Sequence, residues 1–303
     1  MSRIELAGIN GANPLGYLAA LGLLRIVPGA KLAFSEDGSF QAFIDAHDKN
    51  GSDLAKLIAD DAKAGEDPNA PWRFTYTKAA TKKQAAQMVA DLKPPPTDFK
   101  KFLVACIDAW LTGNDEAAAY AAAYATDIAI DNKGNTKPTA FHFTAANQTF
   151  LGTVESTRAS LSQDWIEASL FKGQGEQPGS NLRWDPDADR NWALMANNPN
   201  SDGTSVDAPL EWLAFRGLPL LPSFPRGARI ITTGVVGRGA DITFTWPLWH
   251  IPVSLQTVRS LLQFDWAEGA QQRTARGVFA ICSSAIRRTS QGFGNFSPSS
   301  VSS

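Results

Sequence analysis

The sequence predicts an α+β fold that is helix-rich, with a small mixed or antiparallel sheet and a C-terminal helical part. Three observations lead there. Long windows repeat apolar residues at helical spacing, most clearly at residues 14–27, 98–111 and 269–288. Shorter windows alternate as strands do: in "WRFTYT" (72–77), Trp72, Phe74 and Tyr76 oppose Arg73, Thr75 and Thr77. Strand windows do not alternate regularly with helical ones, which argues against a doubly wound parallel sheet.

Residues 3–9 predict a short first strand. The stretch "INGANPLGYLAALGLLR" follows. Asn13 is placed to cap a helix, Pro14 suits its first position, and Pro28-Gly29 ends it near Val27. Leu15, Leu18, Leu21 and Leu24 climb one side, and Gly16, Ala19 and Ala20 form a small-residue side. Each glycine inside this helix, Gly16 and Gly22, costs about 1 kcal/mol relative to Ala. Close approach of another backbone would offset that cost.

Residues 31–35 predict a returning strand, and 39–64 a helix-rich stretch. Next come a helix at 81–92 stopped by Pro94-Pro95-Pro96, helices at 98–111 and 115–126, a loop around 131–138, and one long helix at 148–171. A Gly-rich loop leads into "NLRWDPDADRNWAL", strand and turn material. The polar loop 197–207 is the best boundary. It divides an N-terminal α+β lobe, 1–207, from a basic C-terminal lobe of hairpin plus helices, 208–303; one continuous domain is the alternative. Past it lie a helix at 209–216, a Pro-rich turn, and strands at 229–236 and 241–246 joined through Gly237-Arg238-Gly239. Helices at 254–263 and 269–288 and a loose polar tail close the chain.

At 303 residues, 44% hydrophobic and 19% charged, the chain is globular rather than disordered. The apolar run at 15–27 is broken by Gly22 and Arg25 and falls short of the roughly 20 residues a membrane helix needs. The N-terminus lacks the pattern of a secretory signal. Cys106 and Cys282, both in patterns that read as helical, are expected to be buried free thiols, which fits a cytoplasmic protein.

Neither a cofactor nor a metal is expected. The opening stretch lacks the Lys-Ser/Thr of a P-loop and the G-x-G-x-x-G of a dinucleotide site. His47, His142 and His250 have no metal-like spacing. "DPDADR" (185–190) lacks the glycine and distal glutamate of a calcium loop.

Charge is unevenly placed. Residues 1–210 hold 19 basic and 26 acidic residues, and residues 211–303 hold 9 basic and 4 acidic. All nine of the latter are Arg, whose planar fork suits phosphate. On a helix at 269–288, Arg273, Arg276 and Arg287 fall within about 60° of arc, over the low floor of Ala280, Ser283 and Ser284. Such a strip, joined by Arg288, would hold a phosphate backbone; the alternative is a face that neutralises the acidic N-terminal part. Arg226, Arg229 and Arg238, on the strand pair and its turn, extend it. Asn10 and Asn13 are candidates for motif readout or docking. In "FHFTAANQTF", Asn147 and Gln148 are candidates for nucleic-acid contact, with a strand and capped helix start, or a reaction centre at His142, as alternatives. Trp246 and Trp249 are expected to anchor packing or a subunit interface.

Three stretches carry a resemblance: "NPLGYLAALGLLRIV", "LEWLAFRGLPLLPSFPRGARIITTG…ITFTWPLWHIPVSLQTVRSLL" and "RTARGVFAICSSAIRR…GFGNFSP". Together they resemble the large-subunit-like proteins of type I-G (formerly I-U) CRISPR systems, well at both ends and poorly in the middle. The resemblance implies a non-catalytic subunit of an antiviral, RNA-guided Cascade-type complex. Its implied partners are double-stranded target DNA, the displaced strand, CRISPR RNA-bound subunits and the helicase–nuclease. The chain is short for a full large subunit and fits a compact version or a smaller sister subunit. A protein-only scaffold and a hydrolase are the alternatives.

Overall fold

The computed structural model describes residues 2–80, 85–145, 147–186, 205–266, 269–289 and 292–302. The chain begins with β1 (Ser2–Asn10), α1 (Pro14–Ile26), β2 (Lys31–Phe34), β3 (Gln41–Ala46) and α2 (Gly51–Ala64). An antiparallel pair, β4 (Tyr76–Lys78) and β5 (Gln87–Val89), precedes α3 (Pro96–Leu111) and α4 (Asp115–Tyr124). A second pair, β6 (Ala125–Ile130) and β7 (Thr136–Pro138), leads to α5 (Phe150–Ser160) and α6 (Gln163–Lys172). After β8 (Glu176–Pro178) and its partner β9 (Ser205–Asp207) come α7 (Ala208–Gly217) and the hairpin β10 (Ser223–Arg226) and β11 (Arg229–Thr232). The chain continues through β12 (Val235–Val236), β13 (Thr243–Trp249), β14 (Val253–Ser254), α8 (Leu255–Leu261) and α9 (Ala270–Ala275). It closes with β15 (Val278–Arg288), β16 (Gly294–Phe296) and β17 (Ser300–Ser302).

The fold is mixed α/β, with several small antiparallel sheets, and corrects the helix-rich expectation. The larger sheets run β1-β3-β2-β14 and β12-β13-β15-β16, with β17 also on β15.

α1 is the central element. Asn13 Oδ1 accepts from Leu15 N at 2.8 Å, and Pro14 opens the helix. Every residue from Pro14 to Leu24 is buried, so the helix has no solvent face. One side meets both large sheets: the Tyr17 ring lies 6.0 Å from Phe34 and 5.6 Å from Trp246. Trp246 Nε1 donates to Gly11 O at 2.8 Å and Trp249 Nε1 to Leu32 O at 2.7 Å, so both indoles are buried with their polar handles satisfied. The other side meets α7, backbone to backbone, at Gly22 and Gly217. One core cluster therefore draws residues from both sides of the 207/208 junction, and β14 pairs with β2 across it.

The largest departure is the final helix. Helix persists only over Ala270–Ala275, and Gly277 (φ 71°) ends it. Residues 278–288 are a central strand, paired with β13 on one edge and with β16 and β17 on the other. Val278, Ile281 and Ile286 fit a pleated surface, and a short apolar run reads equally well as either state until its neighbours are known. Cys282 is accordingly a buried strand residue, whereas Cys106 lies in α3; both are free thiols. The described residues of the tail are anchored rather than loose: Phe296 is fully buried, and Ser284 Oγ donates to Ser297 O.

Three other elements differ. The helix expected at 148–171 is two, because Leu161 is extended and Ser162 caps α6 by accepting from Trp165 N. The stretch 39–64 begins as β3, and a capping box of Asn50 and Asp53 starts the helix only at Gly51. At 81–92, residues 81–84 lie outside the described residues, and Gln87–Val89 pairs with Tyr76–Lys78 as strand. Most of "DPDADR" and of the 197–207 loop also lies outside them.

Candidate nucleic-acid interface

Arg226 and Arg229 close the β10–β11 hairpin as register partners across Gly227-Ala228. Gly227 takes a φ of 62°, which glycine adopts without a Cβ penalty. Opposed residues of an antiparallel pair share a face about 5 Å apart, so both guanidiniums leave one side of the ribbon. Lys137 Nζ donates to Ala228 O at 2.8 Å and ties the loop to β7. Ser223 Oγ and Thr232 Oγ1 lie 2.9 Å apart at the base, and Ala140 N donates to Thr232 Oγ1.

Arg238 sits between two left-handed glycines, Gly237 (φ 88°) and Gly239 (φ 60°). A Cβ on Gly237 would lie 1.9 Å from Asp241 O, so the turn that presents Arg238 requires glycine there.

β15 supplies the last cation. Ile286 and Arg288 are two residues apart and share a face, and Arg287 points to the other. Arg288 donates to His142 O and Ala140 O, both at 3.1 Å, and burial lowers its pKa. His142 anchors that segment. Its Nε2 lies 2.9 Å from Asp91 Oδ1, which also accepts from Phe150 N at the start of α5. Burial lowers the His142 pKa against the pull of Asp91, so the neutral ring donates Nε2–H to the carboxylate.

These groups line one cleft of about 710 Å³. Its cations are Lys93, Lys137, Arg226, Arg229, Arg238 and Arg288, and Asp131 is its one carboxylate. Ile230, Val235, Ile242 and Ile286 form an aliphatic lining. Among the described residues, none of the six cations forms an ion pair. Burial lowers the Lys93 pKa, and Asp91 and Asp131, whose attraction outweighs the repulsion of Arg288 and Lys133, offset this only in part. An anionic chain in the cleft would supply these cations with counter-charge.

The expected residues separate into two groups. Arg226, Arg229, Arg238 and Arg288 meet in the cleft. Arg273, Arg276 and Arg287 do not form a strip with them, because no continuous helix exists: Arg276 caps α9 and lies over the Phe264 ring at 4.2 Å, and Arg287 is on β15. Asn13 is occupied at both ends of its amide, Oδ1 capping α1 and Nδ2 donating to Asp185. Asn10 Oδ1 accepts from Ala12 N at 2.8 Å. Neither they nor Asn147 and Gln148 line the cleft.

Lys93 and Lys137 were not candidates from sequence. They come from the acidic part of the chain, and no local pattern marks them; the only hint is Lys93 standing before the triple proline. Among the described residues no group of His, Cys, Asp and Glu is placed to hold a metal ion, and no helix is long and apolar enough to cross a membrane. The chain matches no family model, no curated protein and no solved structure.

Proposed function

We propose that the chain is a non-catalytic, nucleic-acid-binding subunit of a type I-G CRISPR ribonucleoprotein complex in the cytoplasm. The observation that carries the reading is the cleft, where six cations face one carboxylate with no ion pair. The three stretches that carry the family resemblance also meet in one core: α1 packs on α7, Trp246 and Trp249 pack on Tyr17, and Phe296 packs on Phe244. In this reading the cleft holds the phosphate backbone of target DNA or its displaced strand. The rest of the surface meets the RNA-bound subunits and the helicase–nuclease. His142, buried against Asp91 and seating the carbonyls that hold Arg288, favours a structural role over the hydrolase reading.

Labelled duplex and single-stranded DNA are expected to bind with steep salt dependence. Four phosphate contacts lower affinity about 10²-fold between about 50 and 200 mM salt. Arg226→Glu, Arg229→Glu and Arg238→Glu together remove at least that much affinity, whereas Arg273→Glu has little effect. Unchanged binding by the triple variant sinks the reading. A wild type that ignores DNA but binds an acidic protein surface through the same arginines supports the scaffold alternative.

A further inference from the structure

The β10–β11 hairpin carries an aromatic side chain that the cleft leaves unused. In its register Phe224 stands opposite Ile231, and Arg226 opposite Arg229. Residues two apart on a strand share a face, and so do opposed residues of an antiparallel pair. Phe224, Arg226, Arg229 and Ile231 therefore lie on one side of the ribbon. The base of the other side turns inward: Ser223 and Thr232 are buried, their hydroxyls bond to each other, and Ala140 N donates to Thr232 Oγ1.

The Phe224 ring is 49% exposed. Another exposed ring, Phe264, lies under the Arg276 guanidinium and beside Trp266. Phe224 has no such neighbour among the described residues. A single exposed apolar side chain is ordinary; the place of this one is not. It stands about 7 Å along the strand from Arg226, just beyond the cleft that Arg226 and Arg229 line. The cleft itself is lined by no Phe, Tyr or Trp, so inside it an anionic strand meets cations and aliphatic side chains only. A strand leaving past Arg226 and Arg229 meets a free ring next.

Guanidiniums hold phosphate, and a free ring beside them takes the flat face of a base. Bases in a duplex are stacked on one another and paired at their edges, so they offer no face to a side chain alongside. An unpaired nucleotide does. With its phosphate at Arg226 or Arg229, its base reaches Phe224, which Ile231 supports from across the ribbon. We infer that Phe224 is a base-stacking residue and that this site takes single-stranded nucleic acid in preference to duplex. The inference rests on the reading of the cleft as a nucleic-acid site and adds to it the strand class.

Fluorescence anisotropy of the full chain at about 50 mM salt tests it with three labelled probes of equal length: a thymidine strand, the same strand with abasic spacers, and a duplex. The wild type is expected to bind the thymidine strand about tenfold more tightly than the abasic one, and more tightly than the duplex. Phe224→Ala and Phe224→Leu each remove that tenfold, and Phe224→Trp keeps it. Affinity for the abasic strand stays the same in all of them, because its phosphates still meet the same cations. Leu preserves apolar bulk on the hairpin, so its loss reports the ring and not the fold; circular dichroism like that of the wild type checks this. A uridine strand separates RNA from DNA: the source is the strand that binds more tightly, and Phe224→Leu must weaken it. Equal wild-type affinity for thymidine and abasic strands overturns the inference. So does a duplex bound as tightly as the thymidine strand, or thymidine binding untouched by Phe224→Leu. In those cases salt-dependent binding lost in the Arg226, Arg229 and Arg238 triple variant still supports the cleft. A wild type that binds none of the probes overturns the cleft and the inference together.

Discussion

Replacing Gly22 by Ala is expected to lower the stability of the fold by about 3 kcal/mol, although Ala is the better helix former by about 1 kcal/mol. The reason is the α1–α7 crossing. A Cβ on Gly22 would lie 1.7 Å from Leu213 O and 3.0 Å from Gly217 N. From the other helix, a Cβ on Gly217 would lie 2.5 Å from Leu18 O. These are backbone atoms, and no rotamer change relieves them. The helices would have to separate, opening the packing of Leu18, Leu21, Leu213 and Phe215, all fully buried. Denaturant unfolding of Gly22→Ala, Gly217→Ala and the double variant measures this. The double variant is expected to cost clearly less than the sum, because the first methyl already separates the backbones that the second would strike. A stabilising Gly22→Ala would mean that the helices do not touch there.

The second large effect is at Glu211, and it depends on pH. Glu211 is 1% exposed, one helical turn beyond Asp207, and its Oε2 accepts from Leu182 N at 2.7 Å. Burial pushes its carboxyl up to about 8; the Leu182 N–H opposes this, and Asp185 and Asp207 push the same way. A carboxyl raised on folding is not penalised below about pH 4.5, where it is protonated in both states. Between there and pH 8 the unfolded chain ionises freely and the folded one resists, so stability is lost as pH rises, by about 4 kcal/mol over the window. Glu211→Gln keeps an acceptor for Leu182 N and cannot ionise. Its unfolding free energy is expected to run close to the wild type at pH 5 and well above it at pH 8. Asp61 and Asp207, whose pKa values burial also raises, titrate in both proteins and cancel in the difference. Parallel pH profiles would show that Glu211 does not carry this cost.

The cleft was half legible. The surplus of arginine past residue 210 pointed to an anionic partner, and four of those arginines line the cleft. Their arrangement depends on elements that the sequence pattern misassigns. The spacing of Arg273, Arg276 and Arg287 makes one face only if 269–288 is helical, and on a strand Arg287 and Arg288 part to opposite sides. Asn10 and Asn13 looked free because their partners are distant or belong to the turn itself. Asn13 reaches Asp185, and Gly11, between the two, receives the indole N–H of Trp246.

The sequence by itself determined the elements whose signals are local. Asn13 and Pro14 start α1, Val27 ends it, Asn114 caps α4 and Ser254 caps α8, because a cap bonds within its own first turn. It also foretold that the glycines of α1 serve close packing, since their cost in a helix needs an offset. Only the tertiary structure decided that residues 278–288 are a strand, because a strand's hydrogen bonds lie wholly on its neighbours, here β13, β16 and β17. The same holds for the cleft. Its charge comes from Lys93, Lys137, two hairpins and one strand end, and nothing within reach of a sequence window brings those five places together.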